Sequence, residues 1–353
     1  MGTLSTFEVI IFNHNGVCEP GDKLEGEVIV ENTRPMQIKE IRLESSGIAH
    51  VHWVDTRNAE GSVEPESADE QYYKCAETLF PHQEENLVPN SLRIGDGYHV
   101  LQPGHHSFPF KFPIPPKLPC SFEGPYGHVR YCLKAIIERP WKLKVNTRPF
   151  TLKSRLDLNN VPHCNEELVK SSNIQLSSIL FSTGSCFASL HLSKRGFIPG
   201  EKIPVNIFIK NDSKLTLRSC TIALKMILHY ETPSQSRRTK INLAKVKLGK
   251  VRAESTSDTF NKSLRIPADL PPNLNGCCLI NLRYVLLLKI KPSFMSLSCL
   301  KIPVEIVIGT IPINPSTLFS SHPPPSYIEV MASESDALPN YQDAIMTYPA
   351  TIL

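Results

Sequence analysis

The sequence predicts an all-β protein, two tandem antiparallel β-sandwiches followed by a disordered C-terminal tail. Three observations predict it. Thirty of the 353 residues are proline, and helices accept proline only in their first turn, so strands joined by turns are favoured. A segment near the start recurs without a gap in the middle of the chain. From about Ile311 onward the apolar alternation that fills the rest of the chain stops, and prolines and serines take over.

The repeat organises everything before the tail. Glu19-Pro20-Gly21-Asp22-Lys23 and the strand through Asn32 return as Ile198-Pro199-Gly200-Glu201-Lys202 and the strand through Asn211, at a constant offset of 179. In each copy Pro-Gly makes a turn, proline fixing φ at the first central position and glycine supplying positive φ at the second. Strict alternation follows, placing Leu24, Val28 and Val30, or Ile203, Val205, Ile207 and Ile209, on an inward face. The next strands correspond as well, Ile41 and Leu43 with Cys220 and Ile222. Further on, Phe112-Pro113-Ile114-Pro115 is echoed by Leu264-Arg265-Ile266-Pro267, and Arg130-Tyr131 by Arg283-Tyr284, each of the latter opening a strand.

Two marker sets in the same order mean that one domain occurs twice, and no segment outside these strands sustains a helical period over three turns. Each half is therefore expected to be an immunoglobulin-like sandwich whose inner faces bury the alternating apolar sets. The boundaries read as 1–155 for the first sandwich, 156–175 for a polar linker without period, 176–310 for the second sandwich and 311–353 for the tail. Within the first half, the acidic stretch from Asp55 to Glu85 reads as a long hairpin or loop.

Composition narrows the function classes. The ten cysteines form no Cys-x-x-Cys pair, and residues 1 to 25 show no charged start followed by an apolar stretch, so the thiols read as reduced and the protein as cytoplasmic. No apolar run approaches the ~20 residues of a membrane span. Met1-Gly2-Thr3-Leu4-Ser5-Thr6 fits the loose myristoylation pattern on Gly2, but a strand starting at about Thr6 leaves little chain to present a lipid. The formal charge of +4 conceals an asymmetry: between Lys194 and Arg252, fourteen Lys or Arg stand against Glu201, Asp212 and Glu231. Such a stretch attracts anionic lipid headgroups or phosphorylated peptide. Equally, lysines alternating with Val246 and Leu248 make an ordinary solvated strand face. Nucleic acid is not expected as a partner, because no aromatic side chains interleave these charges as a stacking platform.

Several stretches resemble the N-terminal arrestin domain: Glu19-Pro20-Gly21-Asp22-Lys23-Leu24 with Gly26, Leu101-Gln102-Pro103-Gly104 leading into Phe108, Phe110 and Phe112, Leu118 to Gly124 with Gly127 to Tyr131, and Arg139-Pro140. Arg195-Gly196-Phe197-Ile198-Pro199-Gly200 onward resembles its C-terminal partner. With the tail motif described below, the chain is similar to the α-arrestins, the arrestin-domain-containing adaptors, over about residues 7 to 309. The resemblance implies the arrestin fold, two lobes facing a membrane-bound cargo such as a receptor or transporter, and an adaptor with neither catalytic residues nor a cofactor. A branch of that family binds thioredoxin through a cysteine shortly before a Lys-Ser-Leu-Arg strand. Here Thr256 to Phe260 precede Lys262-Ser263-Leu264-Arg265 without a cysteine, although Cys277 and Cys278 lie not far downstream.

The residues themselves offer little chemistry. His163-Cys164 with Glu166 and Glu167 lacks the second pair that a zinc site needs at ligand spacing. His50 and His52 share a strand face but have no third ligand nearby in sequence, and His105-His106 sit in the Pro103-Gly104 turn, so both pairs read as surface residues. Cys277-Cys278 are sequence neighbours, which seldom bridge, and read as structural. There is no Gly-x-Ser-x-Gly elbow, phosphate-cradling glycine loop, Gly-x-Gly-x-x-Gly or His-Glu-x-x-His. No metal is expected.

The tail carries the sharpest signal. Pro323-Pro324-Pro325-Ser326-Tyr327 contains Pro-Pro-x-Tyr, formed by Pro324, Pro325 and Tyr327. Consecutive prolines hold polyproline II before binding, which lowers the ordering cost in an aromatic groove, and Tyr327 then enters the adjacent pocket. WW domains read peptides in this way, and HECT ubiquitin ligases of the Nedd4 type carry several of them. Leu338-Pro339-Asn340-Tyr341 is a weaker second copy through Pro339 and Tyr341, and Thr351-Ile352-Leu353 fits the PDZ-ligand pattern. The expected function is a link between membrane cargo and a ligase, peripheral at the plasma membrane and endosomes. Its rivals are a trafficking scaffold without ubiquitin chemistry and a thioredoxin-binding regulator.

Overall fold

The computed structural model describes residues 4–55, 64–81, 91–94, 97–153, 155–177, 182–292 and 299–314. They form strands and two single-turn 3-10 segments, with no α-helix among the described residues. In the first half these are β1 (Leu4–Ile11), β2 (Val17–Cys18), β3 (Lys23–Asn32), β4 (Met36–Ile38), β5 (Glu40–Asp55), β6 (Glu64–Phe80), β7 (Ser91–Ile94), β8 (Tyr98–Leu101), β9 (Gly104–Pro113), β10 (Phe122–Gly124), β11 (Gly127–Arg139) and β12 (Lys142–Leu152). The second half holds β13 (Leu168–Ser177), β14 (Ser182–Leu192), β15 (Gly196–Phe197), β16 (Lys202–Asn211), β17 (Leu217–Glu231), β18 (Ser236–Val251), β19 (Ser255–Arg265), β20 (Ile280–Lys291) and β21 (Leu300–Ile308).

The duplication read from the sequence is a duplication of topology. Sheets β1-β3-β9 and β2-β12-β11-β5-β6 of the first half have as counterparts β13-β14-β16-β19 and β15-β21-β20-β17-β18 in the second. Even the short parallel pairings correspond, β2 with β12 and β15 with β21. Between the sheets of each half lie the alternating sets: Leu24, Val28, Val30, Tyr131, Leu133 and Ile137 in one, Ile203, Val205, Ile207, Tyr284, Leu286 and Leu288 in the other, all essentially inaccessible. Removing such apolar area from water is what drives each sandwich to close.

The two marker sets recur because they meet. Gly21 and Gly200 adopt φ of 92° and 85°, as the Pro-Gly turn requires. The Gly21 N–H donates to the Ile114 carbonyl and Ile114 N–H to the Asp22 carbonyl, at 3.1 and 2.8 Å; Gly200, Ile266 and Glu201 repeat the pair at 3.2 and 2.9 Å. The acidic residue after the glycine caps its own turn, Asp22 accepting from Glu19 N–H at 2.8 Å and Glu201 from Ile198 N–H at 3.0 Å. Tyr131 and Tyr284 close the arrangement, each donating its buried hydroxyl to the carbonyl of a proline, Pro119 at 2.5 Å and Pro271 at 2.6 Å.

One segment departs from the sequence reading. Of the polar stretch 156–175, only the first part connects. From Leu168 onward it is the edge strand β13, paired with β14 along its length. Its side chains are mostly solvated because β13 is outermost in its sheet, so no apolar alternation announces it. The acidic stretch is largely β6, hairpinned onto β5 over residues 64–80. Residues 56–63 and 82–85 of that stretch lie outside the described residues.

Candidate binding surfaces

Pro324, Pro325, Tyr327, Pro339 and Tyr341 lie outside the described residues, as do Gly2 and residues 351–353. The described body carries two other features with binding chemistry, a cationic sheet face and a polar joint between the sandwiches.

The cationic face is the outer side of the sheet that ends in β18. Register places Lys247 opposite Thr221, Thr221 opposite Lys289 and Lys289 opposite Lys301, so one row across four strands holds three lysines. Six residues along β17, a second row runs Lys240, Ile227, Arg283, with Arg283 3.9 Å from Glu305. Arg238, Lys240, Lys245, Lys247, Arg283 and Lys301 are exposed. Like charges set directly opposite weaken a sheet, so Lys289 facing Lys301 is a cost to folding. The alternation of lysines with Val246 and Leu248 is as read from the sequence. What the stretch 194–252 could not reveal is that β20 and β21, from outside it, extend the face. Conversely, Lys194 and Lys210 do not belong to it and pair with Glu201 at 2.5 Å and Asp212 at 3.0 Å.

The joint is built from β6 and the β10–β11 turn on one side, and from the β17–β18 turn and residues 277–279 on the other. Glu66 accepts from the hydroxyls of Thr232 at 2.9 Å and Ser234 at 2.6 Å. Glu70 accepts from the Cys278 N–H at 2.9 Å and the Tyr72 hydroxyl at 2.8 Å. Burial alone would raise the Glu70 carboxyl, but these donors outweigh it and hold it below the usual range. Tyr126 meets Tyr230 edge-on at 5.7 Å, and the Arg237 guanidinium lies 4.2 Å from the centre of the Tyr126 ring. Gly124 has to lack a side chain here, since a Cβ would sit 2.4 Å from the Tyr230 hydroxyl. Sequence reasoning missed this joint, whose partners are separated by more than a hundred residues and share no motif.

His50 binds Asp69 at 2.8 Å, and β11 brings His128 directly opposite it with ring centres 5.4 Å apart. His52 stacks on His50 at 6.3 Å. Burial, then the neighbouring Arg130, lowers the His128 pKa. Among the described residues, no three His, Cys, Asp or Glu are grouped to hold a metal. His106 bonds the Gln102 carbonyl at 2.9 Å, and His163 bonds Glu166 at 2.8 Å. Cys164 is buried, its carbonyl receiving the N–H groups of Arg195 and Gly196 at 2.9 and 2.8 Å, which pins the connecting segment to β15. Burial pushes its thiol up, and Cys277, half-buried, is raised for the same leading reason. A raised thiol pKa opposes thiolate reactivity.

Comparison with known proteins follows the two-sandwich architecture. The family model for the arrestin (or S-antigen) N-terminal domain matches residues 7–159, and that for the arrestin C-terminal domain matches residues 182–313. Arrestin domain-containing protein 17 of Caenorhabditis elegans is 32% identical over 324 residues, covering 88% of this chain and 72% of the relative. Human arrestin domain-containing protein 4 is 30% identical over 308 residues, covering 85% and 69%. Human arrestin domain-containing protein 1 is 26% identical over 316 residues, covering 89% and 66%. Among the described residues, no helix is long and apolar enough to cross a membrane.

Proposed function

We propose that this chain, which belongs to the α-arrestin family of arrestin domain-containing proteins, is a non-enzymatic adaptor that joins membrane cargo to a ubiquitin ligase. The sandwiches dock on a receptor or transporter. Pro324, Pro325 and Tyr327 engage a WW domain of a Nedd4-type HECT ligase, and the cargo is ubiquitinated and sorted through endosomes. The observation that carries the reading is Pro-Pro-x-Tyr placed in a proline-rich tail behind a duplicated β body. The lysine row on the outer face of the β18 sheet supports a cytoplasmic location peripheral to membranes, because anionic headgroups offset the repulsion between Lys289 and Lys301, neither of which is in an ion pair among the described residues.

The test is capture by isolated WW domains. Full-length chain is expected to bind, whereas Tyr327→Ala and a chain ending at Asn314, which keeps the bonds of Ile311 and Pro312 to residues 156–159 and the buried Ile313, fall to background with their thermal unfolding unchanged. Phosphorylation of Tyr327 weakens capture as well, since it adds about −1.5 to −2 charge in an apolar pocket. Residual binding after Tyr327→Ala that vanishes with Tyr341→Ala assigns the second motif a share. Undiminished binding of the double variant removes Tyr327 and Tyr341 as the contact, and failure of the full-length chain to be captured removes ligase recruitment and leaves a trafficking scaffold.

A further inference from the structure

β11 and β12 are joined by a two-residue turn, Pro140 and Trp141, closed by the pairing of Arg139 with Lys142. Trp141 adopts φ of 71°. Proline followed by a positive-φ residue is the type II pattern, whose second central position ordinarily holds glycine or asparagine because a larger side chain crowds the backbone there. The ring gains nothing in return, being 103% exposed. Leu143 and Val145, which share one face of β12, are 61% and 50% exposed. The hairpin thus holds a strained tryptophan and two aliphatic side chains in water, where neither local conformation nor packing favours them.

The charge around this tip is one-signed. Arg139, Lys142 and Lys144 belong to the hairpin, and among the described residues none of them is in an ion pair. The acid that precedes them, Glu138, is bound to Lys39 at 2.9 Å. An indole and a leucine projecting from a collar of cations match the boundary of an anionic bilayer, where aromatic rings settle at headgroup level and cations meet phosphate. We propose that the β11–β12 hairpin is a membrane-insertion tip, with Trp141 and Leu143 entering the headgroup boundary of an anionic bilayer and Arg139, Lys142 and Lys144 holding its lipids. This goes beyond the adaptor reading, which asks only for surface charge on the other sandwich and for no inserted side chain.

The chain contains two tryptophans, and Trp53 is 3% exposed, so intrinsic fluorescence separates a buried reference from the tip. Full-length protein is mixed with vesicles of phosphatidylcholine alone or with phosphatidylserine added. The expected result is a blue shift of the Trp141 emission with the anionic vesicles, and its quenching by lipids brominated in the acyl chain. Trp141→Gly loses both signals and lowers partitioning about tenfold or more, the loss expected when one large apolar side chain no longer enters the bilayer. It keeps its melting temperature or raises it, because glycine suits the backbone at that position. Charge reversal by Lys142→Glu with Lys144→Glu weakens binding while leaving Trp141 in place.

Anionic vesicles that capture the chain while the Trp141 emission stays that of an indole in water overturn the proposal and leave the β18 face as the sole lipid contact. Absence of vesicle binding by the wild type overturns it also, and a pocket on a protein partner then remains for the ring. Neither result bears on Tyr327, whose WW capture needs no lipid.

Discussion

β6 and β18 are one strand in two copies of a domain, each hairpinned onto its neighbour and each at the edge of its sheet. Their charge is opposite. β6 carries Glu64, Glu66, Asp69, Glu70 and Glu77 against Lys74, while β18 carries Arg237, Arg238, Lys240, Lys245, Lys247 and Lys250 with no acid. The inward residues they help to cover have stayed apolar, the turn and tyrosine anchors match bond for bond, and the asparagine anchors match on their donor side, Asn211 Oδ1 in addition accepting from Ser213. Asn32 and Asn211 each donate to two carbonyls, of Arg34 and Leu101 and of Leu215 and Arg252. Duplication has therefore kept what closes a sandwich and released what faces out of it. On that released surface one edge became the acid side of the joint and the other the cationic face.

The interior is equivalent without being identical, and the largest expected effect lies at one such position. Gly26 of β3 stands where β16 has Val205. Opposite Gly26 is Phe110, whose ring fills the inward space; opposite Val205 is Lys262, which reaches solvent. A Cβ on Gly26 would lie 2.1 Å from the Ile10 carbonyl oxygen and 2.6 Å from Phe110. The carbonyl cannot retreat without opening the β1–β3 ladder. Gly26→Val is expected to cost more than about 4 kcal/mol in denaturant unfolding, an overpacking loss at the upper end of single substitutions. Val205→Gly should cost about 2–3 kcal/mol through lost burial and backbone entropy. A fully stable Gly26→Val protein would show that the two halves are interchangeable at this point, contrary to the packing described.

The tyrosine anchors are expected to behave alike. Tyr131 is 1% exposed and Tyr284 0%, and loss of either hydroxyl leaves a proline carbonyl without its donor. Tyr131→Phe and Tyr284→Phe should each cost about 1–3 kcal/mol. Calorimetry of the two variants and of their combination measures this, with near-equal single costs; both hydroxyls lie within reach of Cys120, so the combination also reads how far the two sites are coupled. A cost confined to one half would mean that the other anchor is redundant.

This pattern also explains what could be read before any coordinates. Residues that act through local geometry announce themselves: Pro20-Gly21 and Pro199-Gly200 dictate a turn, and Leu24, Val28 and Val30 dictate a face. Arg130-Tyr131 and Arg283-Tyr284 mark equivalent strands because the same buried hydroxyl is needed twice. Properties created by register were not legible. No spacing rule brings Lys289 and Lys301 beside Lys247, or His128 beside His50, because cross-strand neighbours are set by how the sheets fold up. The joint was silent for the same reason, with Glu66 meeting Thr232 across the boundary between domains. β13 was hidden by being polar. The tip at Trp141 is different in kind, since Arg139-Pro140 is a marker in the sequence while only the fold leaves the next ring fully in water.

The smallest expected effect compares two rows of side chains that occupy the same place in the two halves. On the first sheet the row runs Asp69, His50, His128 and Glu123; on the second, Arg238, His229 and Asn281. His128 thus stands where the other half has Asn281, which does not titrate. The groups facing His128 are Glu123 and Asp69, which favour its charged form, and Arg130 and His50, which oppose it; burial is the largest influence, and the net result is a lowered pKa. The folded state then binds a proton less readily than the unfolded chain, whose histidine titrates near 6.5, so stability contributed by neutral His128 is present above that pH. It is lost as pH falls through the folded value. Because the ring is partly solvated, the effect is screened and smaller than that of either tyrosine variant. His128→Asn, which copies the second half, should therefore flatten the fall in melting temperature between pH 7.5 and pH 5.5 on going from wild type to variant. An unchanged slope would place the acid sensitivity of that window at groups other than His128; Glu70 in the joint is not one of them, because its lowered carboxyl keeps its stabilising contribution throughout that window and loses it only below its unfolded pKa.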